Sequence, residues 1–260
     1  MVEFRLKKPS MAKRGVCGEN KMKVSVITVC YNAILGIEKT IKSVVGQTYP
    51  EVEYIVIDGG STDGTIDIIK KYTDKIACFV SEPDGGIYDA MNKGIRIATG
   101  EWINFMNAGD TFSSDTIIST VFSERYKEEV EVIYGDVYFT ESHDCNYLQP
   151  ARPLYFLRRA MPFCHQSSFV KRKAITEFDK QFQICADYSF FYSLYHDKPN
   201  SFCYKSVPIS VYDNRHGLSM DNPRKHRKEN LEIRSKHKDV RWLMDLVKYH
   251  VKFSVLKMKK

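Results

Sequence analysis

The strongest constraint on this chain is a rhythm. Between residues 23 and 110, short β-branched runs alternate with amphipathic stretches, and each run stops at a polar cluster. Residues 23–29 (KVSVITV) read as a strand, followed by Ile37, Ile41, Val44 and Val45 at helical spacing up to Gly46. Residues 52–57 (VEYIVI) read as a second strand, followed by a short helix on Ile66, Ile69 and Tyr72. Residues 75–80 read as a third, followed by a helix with Ile87, Met91, Ile95 and Ala98 on one face and Gly100 as its stop. Residues 102–106 are the fourth strand. Strands separated by helical patterns imply βαβ units and a parallel sheet, so the fold class is α/β. After Asp110 the rhythm loosens into a helix over 115–122, a strand over 130–139, and then aromatics, prolines and loops to about Asp221.

The four strands end in CYNA, IDGGSTDGT, SEPDGGIYDAMNKG and NAGD. In a parallel sheet these ends share one edge, which draws Asn32, Asp58, Asp63, Glu82, Asp84 and Asp110 to one crevice. Gathered carboxylates repel one another. A purely structural protein has no use for them there, whereas a protein handling a metal, a nucleotide or a sugar does, and open α/β sheets bind ligands beyond their strands' carboxyl ends. The chain has no GxGxxG after the first strand and no GxxxxGK[ST], so neither a dinucleotide cradle nor a P-loop is supported. Its first turn carries Tyr31 and Asn32 instead, an aromatic face and an amide suited to a base.

An apolar fraction of 43% with 13% aromatics is enough for a sizeable core. No stretch approaches the roughly 18–20 apolar residues that span a bilayer. Residues 1–20 hold Lys7, Lys8, Lys13 and Arg14 but no apolar core of a signal peptide, and read as a disordered extension. The seven scattered cysteines form no CxxC pair, which points to reduced thiols and a cytoplasmic setting. Of the +7 net charge, residues 223–260 hold thirteen Lys/Arg against four Asp/Glu, so the body before them is nearly neutral. That argues against a nucleic-acid-binding body and for a tail with its own task.

At these motifs the chain resembles the family 2 glycosyltransferases. VITVCYNA is similar to the family's opening strand and nucleotide turn, and VIDGGSTDGT to its D-G-S-T-D-G-T signature, with an extra Gly60 where many members have Asp-Asp-Gly-Ser. SEPDGGIYDAMNKGIRIATGEWINFMNAGD is similar to the stretch leading to the family's metal motif. Among subgroups it looks closest to bacterial colanic-acid-type transferases, which build surface polysaccharide. The resemblance implies a GT-A fold: a Rossmann-like, mainly parallel mixed sheet flanked by helices, here with a basic helical C-terminal tail. It implies a catalytic domain over 21–221, with a nucleotide-binding half at 21–110 and an acceptor-binding half at 111–221, followed by the tail at 222–260. It also implies inverting transfer of a sugar from a nucleoside-diphosphate donor, a UDP-sugar first, to the hydroxyl of a carbohydrate or lipid-linked acceptor.

The same resemblance suggests site residues. Asp110 is the expected ligand for Mg²⁺ or Mn²⁺, cations that take oxygen ligands and leave room for phosphate and water. The usual D-x-D is incomplete, because Asn107 and Gly109 stand where acids are expected; Asn107 can contribute a carbonyl oxygen or bond the ribose. Thr28, Tyr31, Asn32, Asp58, Ser61 and Asp84 are expected at the nucleotide, with Asp58 accepting from a base N–H. Asp63 suits either that turn or a helix cap. Asp187, opening an aromatic helix in QICADYSFF, is the expected catalytic base, in a dry setting that would raise its proton affinity. Asn92, Lys93, His165 (in PFCHQSS) and His216 (in NRHGLS) are candidate substrate contacts.

In the tail, Leu243, Met244, Val247, Val251 and Val255 recur at helical spacing among lysines. Such a helix can lie on an anionic membrane surface or pack on the body. PRKHRKEN (223–230) lacks the aromatic platforms that RNA binding would need. Two rival functions share the sheet-end logic: a sugar-nucleotide-binding protein without turnover, and a nucleotidyltransferase, which would release pyrophosphate.

Overall fold

The computed structural model describes residues 2–4, 21–142, 145–213 and 221–235. In chain order the first half contains β1 (Val2–Phe4), β2 (Val24–Cys30), α1 (Ile37–Val45), β3 (Val52–Asp58), α2 (Thr65–Lys70), β4 (Cys78–Ser81), α3 (Ile87–Ile97) and β5 (Trp102–Phe105). The second half contains β6 (Thr111–Phe112), α4 (Ile117–Val121), β7 (Val132–Ser142), β8 (Cys145–Gln149), β9 (Ser168–Lys171), α5 (Ala186–Asp197), β10 (Phe202–Tyr212) and α6 (Pro223–Ser235).

All ten strands belong to one sheet, ordered β1-β4-β3-β2-β5-β9-β7-β10-β6, with β8 on the flank of β7. Strands β4, β3, β2 and β5 are mutually parallel. The chain runs outward from β2 to β3 and β4, then returns across the sheet to place β5 on the other side of β2. The crevice between the carboxyl ends of β2 and β5 is therefore the point where strand order reverses, the usual ligand position in such sheets. Every residue of β2 is buried, as a central parallel strand covered on both faces requires. Its alternate side chains feed two cores. Ile27 and Val29 join α3 and α5, while Val24, Val26 and Cys30 join α1 and α4.

The structure corrects the sequence reading in three places. Residues 75–77 precede β4 rather than belonging to it. Val2–Phe4, inside the stretch expected to be a disordered extension, pairs antiparallel with β4, Val2 opposite Ser81. The stretch of aromatics, prolines and loops holds, besides the expected helix at Asp187 (α5), two further strands, β9 and the eleven-residue β10, which lies parallel to β7. Pro208 hides that last strand: it falls where the β7–β10 register shifts, an irregularity that tolerates the missing N–H.

The start of the basic tail is docked. In α6, Glu229, Leu231, Ile233 and Arg234 are buried. The apolar repeat at 243–255 lies outside the described residues. Among the described residues, no helix is long and apolar enough to cross a membrane.

Candidate active site

The crevice is built in two banks. The first is formed by the turns after β2, β3 and β4. Tyr31 follows β2 with 66% of its surface exposed, so its ring is free to meet a ligand. Asn32 has φ 47°, a left-handed turn residue, and its side chain serves the neighbouring turn by accepting from the Thr62 amide (2.9 Å). Asp84, in the loop after β4, accepts from the Gly86 amide at 2.8 Å. A Cβ at position 59 would lie 2.6 Å from its Oδ2, so Gly59 is the residue that leaves room for the Asp84 carboxylate.

Several of the residues expected at the nucleotide are engaged in holding the turns themselves. Asp58 is fully enclosed; it accepts from the amides of Gly60 and Ser61 and from the hydroxyls of Ser61 and Ser81. Its oxygens are engaged inside the turn. Ser61, 7% exposed, donates to Asp58 and accepts from the Asn32 amide, and thus holds the same turn. Thr28 is enclosed as well, donating to the Met106 carbonyl and accepting from Tyr54. Asp63 takes the capping role, accepting from the Thr65 amide and hydroxyl at the start of α2. On α3, Asn92 is buried and exchanges two hydrogen bonds with the Phe178 backbone. Lys93 pairs with Glu82 at 2.8 Å and bonds the Pro83 carbonyl, bracing the β4–α3 loop.

The second bank joins the end of β5 to α5. Asn107 follows β5, and its amide nitrogen lies 3.1 Å from His165 Nε2. His165 Nδ1 lies 2.9 Å from Asp187 Oδ2 in the first turn of α5. The other oxygen of Asp187 accepts from the Tyr88 hydroxyl (2.9 Å) and from the Tyr188 amide (2.8 Å). Residues from β5, the β8–β9 connection, α3 and α5 thus form one hydrogen-bonded chain. The expectation for the acidity of Asp187 is reversed. Burial alone would raise its pKa, but His165 and the two Tyr88 and Tyr188 donors outweigh that and hold it below the usual carboxylate range. The turn that carries Asp187 is itself held from outside: Glu229 of α6 accepts from the amides of Gln183, Ile184 and Cys185.

Asp110 lies next to this chain, 5% exposed. It accepts from the side-chain nitrogen of Gln166 at 2.8 Å and the Asp213 amide at 3.1 Å. Burial pushes its pKa up to about 6, against the pull of those two donors, His165 and Lys39. Gly109 beside it has φ +103°, a backbone that an acid at the D-x-D position would adopt only with strain. Among the described residues no group of three or more His, Cys, Asp or Glu could hold a metal, and no Lys or Arg forms an ion pair with Asp110. This uncompensated oxygen donor fits a hard cation as its single protein carboxylate, with phosphate and water completing the shell.

Gln166 and Tyr88 escaped the sequence reading, although both stood inside quoted motifs. A glutamine and a tyrosine carry no signal of their own until the fold aims them at carboxylates. His216 lies outside the described residues.

Comparisons with known proteins converge. The family model described as glycosyl transferase family 2 matches residues 25–201. An uncharacterized glycosyltransferase of Mycobacterium tuberculosis is 41% identical over 114 residues, covering 43% of this chain. The match spans 44% of that relative, less than half its length. A PGL/p-HBAD biosynthesis glycosyltransferase of Mycobacterium bovis is 28% identical over 203 residues, covering 75% of this chain and 78% of that one. Among solved structures, S. aureus TarS 1-349 in complex with UDP-GlcNAc superposes with a TM-score of 0.64 at 20% identity, covering 82% of this chain and 65% of TarS. The mannosyltransferase PcManGT of Pyrobaculum calidifontis, in complex with GDP-Man and Mn²⁺, gives 0.59 at 19% identity, covering 84% and 65%. The sheet with its flanking helices is the GT-A fold of these neighbours.

Proposed function

The chain belongs to glycosyl transferase family 2, and from that premise we propose that it is an inverting glycosyltransferase, moving a sugar from a nucleoside-diphosphate donor to an acceptor hydroxyl. The observation that carries this reading is the pairing of the two banks. Tyr31 and Asp84 follow the carboxyl ends of β2 and β4, and the Asn107–His165–Asp187 chain begins just past the end of β5 on the same edge of the sheet. The first bank suits a nucleotide: Tyr31 stacks on the base, and Asp84, in the space left by Gly59, accepts from the ribose or sugar hydroxyls. UDP-sugars are favoured because TarS is solved with UDP-GlcNAc. The second bank faces the acceptor. Its hydroxyl attacks the anomeric carbon from the side opposite the diphosphate and inverts that centre, while the Asp187–His165 pair receives the proton.

Asp110 would hold a Mg²⁺ or Mn²⁺, which when bound neutralises charge on the leaving diphosphate. Gln166 and the Asp213 amide orient the Asp110 carboxylate for that task. The acceptor is taken to be a carbohydrate or a lipid-linked saccharide of a bacterial surface polymer, of the kind that colanic-acid-type transferases extend. In this reading the enzyme works in the cytoplasm, with its tail on the inner face of the membrane and no nucleic-acid partner.

The test is a thermal-shift panel of UDP, GDP, UDP-GlcNAc and GDP-mannose with and without Mn²⁺. A ligand at about a hundredfold over its Kd adds roughly 2.7 kcal/mol to the native state. UDP and UDP-GlcNAc should raise Tm by several degrees, with nucleoside diphosphate as the released product. Stabilisation by no nucleotide, or pyrophosphate as the product, would overturn the reading.

A further inference from the structure

The geometry around Asp187 separates two roles that a single carboxylate is usually asked to play. Its Oδ1 already accepts from a hydroxyl and an amide, and its Oδ2 faces His165 Nδ1. A carboxylate held by the Tyr188 amide, by His165 and by a share of the Tyr88 hydroxyl, which also faces the Ile184 carbonyl at 2.7 Å, is stabilised as the anion and has little reason to take a proton. The direction of its acidity agrees: despite its burial, it is held below the usual carboxylate range.

His165 links this anion to Asn107 at the end of β5. Its Nδ1 faces Asp187, and its Nε2 faces the side-chain nitrogen of Asn107 at 3.1 Å. The anionic Asp187 Oδ2, 2.9 Å from Nδ1, draws the hydrogen onto Nδ1 and leaves the lone pair on Nε2, toward the Asn107 amide. Asn107 Oδ1 is buried and has no hydrogen-bond partner in this arrangement. The Asn107 amide therefore holds a matched pair of faces. Its nitrogen suits the neutral ring, and its unused oxygen suits a ring protonated on Nε2. The ring's backbone is fixed as well, since the Ser168 hydroxyl donates to the His165 carbonyl and Asn104 holds the carbonyls of Gln166 and Ser168.

We propose that His165 is the base that takes the acceptor's proton, with Asp187 a positioning residue that sets the ring's tautomer and Asn107 the partner that holds Nε2 until an acceptor displaces it. The assignment rests on the sugar-transfer reading. In the step, the acceptor O–H proton passes to Nε2, the oxygen forms its bond to the anomeric carbon, and the carbon–oxygen bond to the diphosphate breaks with its electron pair going to the leaving group. The imidazolium, paired with Asp187, returns its proton to water when product leaves. The other ionisable groups around the ring are Asp110, beyond Gln166, the neighbouring Cys164, and Tyr88 behind Asp187; burial pushes the Cys164 thiol up to about 12, so it stays neutral.

The experiment uses the full chain and follows nucleoside diphosphate release from UDP-GlcNAc, UDP-glucose and GDP-mannose. His165→Ala should lower turnover by about 10²-fold or more while keeping the UDP thermal shift. Free imidazole should restore part of the loss, and substituted imidazoles should restore it in order of basicity. Asp187→Asn should also lose turnover, without imidazole rescue. In ¹⁵N-histidine spectra near pH 8 the wild-type ring should carry its proton on Nδ1, and Asp187→Asn should move it toward Nε2. If His165→Ala does not fold, His165→Gln takes its place, and the spectra need no variant at that position. The assignment is overturned by an active wild type whose His165 variant stays within threefold, by a loss that no imidazole rescues, by formate rescue of Asp187→Ala, or by a wild-type ring protonated on Nε2 alone. A wild type that turns over no donor would instead overturn sugar transfer itself, and the assignment would fall with it.

Discussion

At the residue scale, the acids of the crevice were visible in the sequence, but their employment was not. Asp58 and Asp84 look equally available in IDGGS and EPDGG. The fold encloses Asp58 in its own turn and leaves Asp84 a berth against Gly59. What decides between them is the direction of a side chain at a strand end, which no spacing rule encodes. Asp110 carries a prediction. Its pKa rises from the ordinary value near 3.8 to about 6 in the folded chain, chiefly through burial. Between those two values the native state binds more protons than the unfolded one, so stability falls as pH rises through that window and stays lower above it. Asp110→Asn removes the buried charge, and Gln166 can turn its amide to suit. The variant should therefore be more stable than wild type at pH 7.5, by on the order of 3 kcal/mol, and nearly indistinguishable from it near pH 4. It should also lose any response to Mn²⁺. Paired urea melts at the two pH values check this, and an Asp110→Asn chain that is weaker at pH 7.5 would contradict it.

At the element scale, the first four strands and their helices were read within a residue or two at most ends, because a buried parallel strand leaves an unbroken apolar run between turn signals. Beyond Asp110 the helix over 115–122, the strand over 130–139 and the helix opening at Asp187 were legible, whereas β9 and β10 were not. Strand β10 contains Lys205 and Pro208 and shifts register around them. Helix α5 is aromatic on most of its faces, so its helical period is blurred. Its opening was nonetheless expected at Asp187, and how it is held there is the element-level surprise. Glu229, in a segment that reads as a charged tail, accepts from three successive backbone amides just before α5. A buried carboxylate in that position stabilises unpaired amides at a helix start. Glu229→Ala should cost about 1–3 kcal/mol and lower Tm by several degrees. Its effect on turnover should exceed its effect on UDP affinity, since α5 carries Asp187 whereas the nucleotide bank comes from β2, β3 and β4. Calorimetry with UDP beside a turnover assay separates the two, and an equal loss in both would show that α6 supports the whole sheet and not α5 in particular.

At the scale of the whole molecule, the two halves of the sheet divide the work. The parallel strands β4, β3, β2 and β5 supply the nucleotide bank, and the strands beyond β9 carry the walls that bring His165 and Asp187 to the end of β5. The second half needs α6 to hold α5, so the part of the chain required for the site runs to about Ser235. Residues 236–260 then stand apart in composition. They hold eight Lys/Arg and two Asp/Glu, a net +6 of the chain's +7, interleaved with Leu243, Met244, Val247, Val251 and Val255. Charge of that density near an anionic bilayer is worth about 1 kcal/mol per basic residue, and it acts only within a Debye length of the surface. A chain ending at Ser235 should therefore keep its melting temperature to within a couple of degrees and its turnover of a soluble donor. It should lose sedimentation with phosphatidylglycerol-containing vesicles, which the full chain should show at low salt and shed as salt is raised. Neutral vesicles should bind neither form. A truncated chain that melts early would mean that the segment packs on the body, with its apolar face turned to protein and not to lipid. A truncated chain that still sediments with anionic vesicles would move the membrane contact onto the folded domain.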